Sequence, residues 1–129
     1  LSRTRTILGI VAGVLMLASS AAHSMLGWPS IRAKLAESRA PHDLVQGLAV
    51  GWHFGGAAMV ALACIVLWTF LRRMQGDHVS LVPPGIVAFL YLAFGVGALA
   101  VTGDPFFLVF IIPGLMLAAA AFPGRGSAS

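Results

Sequence analysis

Two histidines set inside long apolar stretches, His23 and His53, are the side chains of this sequence that most need a chemical reason. An imidazole donates or accepts a hydrogen bond, carries a proton near neutral pH, or ligates a metal. Among apolar neighbours such a group is costly unless it faces a cavity or a partner. Tyr91, Gln46 and Ser20 are the other polar residues placed to meet these histidines. Together they suit a pocket for a small molecule with one polar end, and His23 and His53 are the candidate ligands for a metal or a haem iron.

Positioning such groups falls to four stretches free of Asp, Glu, Lys and Arg: Thr6 to Ile31, Leu44 to Leu71, His78 to Gly103, and Pro105 to Gly124. Each reaches the roughly 20 residues that a helix needs to cross about 30 Å of hydrocarbon. The 129-residue chain is 59% hydrophobic and 9% charged, against about 25% charged in soluble domains. Such a chain cannot cover itself with polar surface, so the reading is all-α: an integral membrane four-helix bundle in one domain. Prolines and glycines trim the helices to near 6–26, 43–71, 82–102 and 105–122. Trp28-Pro29 opens a segment, 28–40, with apolar Ile31 and Leu35 among charged Arg32, Lys34, Glu37 and Arg39. That composition predicts a short interfacial helix anchored by Trp28. Asp43 and Gln46 have capping-box spacing, and Asp104-Pro105 reads as a cap and first helical position.

The first stretch also has the anatomy of a signal peptide, with Arg3 and Arg5 before an apolar core and Ala22-His23-Ser24 as a small-x-small site. Gly9 and Gly13, spaced for close helix approach, favour a retained helix. With both termini cytoplasmic, five basic residues (Arg3, Arg5, Arg72, Arg73, Arg125) face three (Arg32, Lys34, Arg39), which favours that orientation. The segments His23 to Pro29 and Gly51-Trp52-His53-Phe54-Gly55-Gly56 resemble sequences of small bacterial membrane proteins. The resemblance implies no particular activity; the expected location is a bacterial cytoplasmic membrane.

Helical phase places Gly9, Gly13, Met16, Ser20, His23 and Ser24 on one face of the first helix. On the second, Gln46, His53 and Cys64 share a polar stripe, while Gly47, Gly51 and Gly55 form a close-packing face roughly 160° from His53. The second helix is therefore expected to be the most enclosed, or to meet a second protomer. Counted from Asp43 and Thr102, His53 and Tyr91 both lie about 15 Å deep. Pro113 and its kink share that midplane layer. The expected pocket thus has His53 facing inward beside Tyr91, with His23 above it toward the non-cytoplasmic face. His23 and His53 then differ in depth by about 9 Å, which counts against bis-histidine haem.

Other classes lack support. The basic residues are scattered between apolar blocks, so no nucleic-acid surface forms. Nucleotide, zinc-protease and paired-cysteine motifs are absent from the sequence. A histidine-based enzyme lacks a nameable nucleophile or oxyanion site. Membership of a homo-oligomer or larger membrane complex through the glycine faces is the alternative to a binding protein.

Overall fold

A computed structural model describes residues 2–122, so Arg125 and the polar tail lie outside the described residues. The described chain is all-helical: α1 (Arg3–Ala22), a π-helical turn (His23–Gly27), α2 (Trp28–Glu37), α3 (His42–Met74), α4 (Val82–Thr102), a 3-10 turn (Pro105–Phe107) and α5 (Leu108–Ala121). Three helices are long and apolar enough to cross a membrane: the continuous Arg3–Glu37 rod, α3 and α4. The fourth apolar helix, Pro105–Ala121, is shorter.

The segment after Trp28 is not a separate interfacial helix. Gly27 and Trp28 both keep right-handed helical dihedrals, so α2 continues α1 through the π turn and runs on beside α3. The rod of 35 residues is about 52 Å long, and α3, with 33, about 50 Å. Both exceed the hydrocarbon thickness of about 30 Å. α3 and α4 are joined by a short loop, in which Arg73 donates to the Val79 carbonyl and Arg72 pairs with Asp77 at 2.8 Å. The 33 residues of α3 against 21 in α4 carry α3 past the end of α4 by 12 residues, about 18 Å. The charged residues of 32–43 therefore sit on a projecting helical hairpin. Its tip turns at Arg39, whose φ is 53°.

α1 is the central helix, packed on α3 along one side and on α5 along the other, with α4 against α5. The ring of helices is loosest between α3 and α4. The core lies in the half nearest the N-terminus, where Met16, Val66, Phe70, Leu117 and Ala120 are fully buried. Small residues permit this: Phe70 lies directly over Gly9, and Leu67 and Val66 close over Gly13. Gly95 receives Ile111 and Phe110, and Gly114 receives Leu92, so α4 and α5 exchange side chains across paired glycines. Pro113 stays inside α5 without ending it.

The enclosure expected of the second apolar stretch does not occur. Among the described residues, Gly47 and Gly51 meet no atom within 4 Å of an added Cβ, and Gly55 meets only His23 Nε2 at 3.7 Å. The buried line of α3 is Trp52, Gly56, Met59, Ala63, Val66 and Phe70, half-buried at its start and fully buried at its end. Asp43 does not cap α3: the helix starts at His42 after Pro41, with Asp43 in its first turn. Asp104 does cap the following turn, accepting from Phe106 N at 2.8 Å. Gly103, at φ 67°, closes α4.

Substituting Gly9 by alanine should drive a methyl into the buried Phe70 ring and cost about 1–3 kcal/mol. Gly51→Ala should be neutral, or stabilising by up to about 1 kcal/mol through helix propensity. Denaturant unfolding of both variants in micelles measures the difference, and equal losses would mean that the Gly51 flank is packed after all.

Candidate functional site

The site begins with a local defect in the long N-terminal rod. Pro29 has no N–H to give and its ring crowds the carbonyl four residues earlier. The π turn at His23–Gly27 lies just before it and absorbs both problems. Trp52 of α3 completes the arrangement: its indole Nε1–H donates to the His23 carbonyl at 2.9 Å. Gly27 admits the indole, since an added Cβ there would stand 2.6 Å from Trp52 Cζ2. Prolines, π turns and side chains inserted into the hydrogen-bond ladder are the usual sites of helix irregularity, and π turns recur at functional sites.

The reverse contact is equally specific. His23 Nε2–H donates to the Trp52 carbonyl at 3.2 Å, and the two rings stack at 4.1 Å and 4°. A carbonyl has a second lone pair for this beyond its helical bond. Gly56 opens the path, because a Cβ there would press on Ser24 Oγ and His23 Cδ2. The Cδ2–Nε2 edge of the imidazole thus faces α3. The Nδ1 edge is turned away from it and makes no hydrogen bond among the described residues.

Two clefts meet at this ring. One, of about 350 Å³, runs between the rod and the start of α5 and is lined by Leu26, Gly27, Trp52, Phe106 and Val109 among others. The second, of about 300 Å³, lies in the loose α3–α4 seam and is lined by Ala58, Leu62, Leu90, Tyr91 and Phe94. His23, Met59 and Phe110 line both. Tyr91 is buried against Phe110 at 5.6 Å between ring centroids, and its hydroxyl has no partner among the described residues.

The remaining sequence-derived candidates are dispersed. His53 does not face the interior beside Tyr91; it is exposed and leans on Trp28 at 5.8 Å. The depth count failed because α3 starts beyond the end of α4. Leu62 shares the cleft with Tyr91, and His53 is nine residues further along α3, about 14 Å. Gln46 is exposed on the projecting hairpin. Ser20 is buried but spends its hydroxyl on the Leu17 carbonyl at 2.7 Å. The same projection removes the expected depth mismatch between the histidines, since His23 stacks on the residue next to His53. Facing, not depth, now separates them: His23 lines both clefts and His53 neither. No group of three His, Cys, Asp or Glu gathers among the described residues, so the donors for a protein-built metal site are not brought together there. Trp52, which is not among the site residues singled out from the sequence, is the partner that completes the site. Its spacing to Gly56, Met59, Ala63, Val66 and Phe70 alternates four and three, the signal of a buried helical stripe.

No protein-family profile, curated protein or solved structure matches this chain.

Trp52→Phe keeps an aromatic surface under His23 but removes the donor to its carbonyl. It should cost about 1–3 kcal/mol in unfolding. His53→Ala, at an exposed position, should stay within about 0.5 kcal/mol of the parent. The reverse order would place the structural imidazole at His53.

Proposed function

We propose that this chain is an integral membrane protein that binds an apolar molecule with one polar end, held at His23 where the two clefts join. The observation that carries this reading is the unused Nδ1 edge of a half-buried imidazole between two largely apolar clefts. Pockets of this character, apolar with few fixed polar groups, are the usual form of small-molecule sites. The loose α3–α4 seam favours entry from the side, out of the lipid, and an apolar ligand would be concentrated there. Tyr91 supports the same reading, because a buried hydroxyl without a partner is uncommon and a ligand acceptor would satisfy it. His53, Gln46 and Ser20 drop out of the pocket, and a haem held between His23 and His53 drops out with them.

A second reading has its own observation. The projecting part of α3 leaves Gly47 and Gly51 uncovered beside exposed Leu44, Leu48 and Val50. That flank favours assembly with another membrane subunit or a second copy.

Mass spectrometry of organic extracts from the purified protein, beside its absorption spectrum, tests the binding reading. His23→Gln retains an N–H where Nε2 donates and removes the Nδ1 acceptor. The expected result is one amphipathic species enriched well above bulk lipid in the parent and absent from His23→Gln, with the helical content of both equal. Tyr91→Phe should reduce that enrichment while raising stability, since it deletes an unsatisfied buried hydroxyl worth about 1–3 kcal/mol. Bulk lipid alone in the parent, or equal enrichment in His23→Gln, would overturn the reading and leave assembly in front.

A further inference from the structure

The opposite end of the bundle holds a crevice of different chemistry. It has a volume of about 460 Å³ and is lined by Arg3, Thr6 and Ile7 from the first two turns of α1 and by Arg73 and Met74 from the end of α3. Arg73 gives both Nε, at 2.7 Å, and Nη2 to the Val79 carbonyl, which leaves its Nη1 side toward the crevice, and Arg5 gives Nη2 to the Ala120 carbonyl at 2.9 Å. Those acceptors are neutral, so both charges remain. Of the four carboxylate side chains in the sequence, Glu37, Asp43 and Asp104 belong to the far end of the bundle. Asp77 is already paired with Arg72. Residues 123–129 contain no Asp or Glu. Arg5 is directed to α5, so Arg3 and Arg73 share the crevice, with no carboxylate among its lining residues in the described chain. The dipoles of α1 and α3 end here with opposite sign and largely cancel, so the guanidinium groups set the field.

Like charges crowded beside apolar surface repel, and an anion between them relieves that repulsion. Guanidinium groups match phosphate oxygens in planar, paired hydrogen bonds. The other walls, Ile7 and Met74, are half-exposed or more and apolar. We infer that this crevice binds the phosphate of an anionic lipid, with Arg3 and Arg73 on its oxygens and Ile7 and Met74 against the start of its chains. The inference rests on the membrane reading above and is independent of the His23 clefts.

The test uses the full chain in nanodiscs of equal phosphatidylglycerol and phosphatidylcholine, with native mass spectrometry of the lipid retained after release from the disc. Retained phosphatidylglycerol should exceed phosphatidylcholine about five-fold, the effect of roughly 1 kcal/mol from a basic residue at the surface. Arg3→Gln should return the ratio to that of the bulk; Arg3 is exposed and its side chain makes no hydrogen bond among the described residues. Arg32→Gln, at the other end, should leave the ratio unchanged. A bulk ratio in the parent protein, or an equal loss in Arg32→Gln, would overturn the site. Displacement of the lipid by millimolar inorganic phosphate would overturn the lipid assignment in favour of a free anion. Failure to enter the bilayer at all would overturn the membrane reading beneath it.

Discussion

Trp52 and His23 exchange hydrogen bonds, each ring donating to the other residue's carbonyl, and the geometry of the whole upper bundle depends on that exchange. The pair fixes the rotation of α3 against the N-terminal rod. With Trp52 directed inward, the next residue, His53, turns about 100° away and is exposed. The same contact stabilises the π turn ahead of Pro29, so the rod passes a proline without breaking and α2 stays beside α3. Gly27 and Gly56 make the approach possible from the two sides.

Below this level the bundle closes and above it the bundle opens. Gly9, Gly13, Gly95 and Gly114 take large side chains from facing helices, and the fully buried residues gather there. Near His23 the rod and α3 still interlock through Gly27 and Gly56, but α4 takes no part in that contact. The α3–α4 seam is loose, and aromatic side chains of α4 and α5 line a cleft there in place of a packed core. A bundle clamped at one end and parted at the other presents clefts near its middle without any helix being strained to form them.

Much of the fold was legible in sequence. Stretches lacking charge marked the four apolar helices, and Asp104-Pro105 marked a true cap. The face of the first helix holding Gly9, Gly13, Met16 and Ser20 followed from phase, and all four are buried. The rest failed for physical reasons. A depth measured from Asp43 takes each helix to begin at one membrane surface, whereas α3 begins about 18 Å beyond the end of α4. That shift carried His53 away from Tyr91 and placed Gln46 on the hairpin. The sequence of α3 offers a polar stripe and a glycine stripe as inward faces, yet a third face, led by Trp52, is the buried one. A tryptophan that donates a hydrogen bond to a helix carbonyl looks, in sequence, like any interfacial anchor. Only the pairing of Gly27 with Trp52 and Gly56 with His23, twenty-five and thirty-three residues apart, distinguishes it.

The tautomer of His23 joins the fold to the proposed function. Donation from Nε2 to the Trp52 carbonyl leaves Nδ1 as a bare acceptor turned away from α3, and the ligand reading requires that acceptor. Nitrogen-15 NMR of protein labelled at histidine, with His23 assigned through His23→Gln, reads this directly. The expected spectrum of the neutral ring has a protonated Nε2 and an unprotonated Nδ1 for His23, with the Nε2 proton slow to exchange. A proton on Nδ1, or a ring exchanging as freely as that of His53, would contradict the pairing and the site built on it.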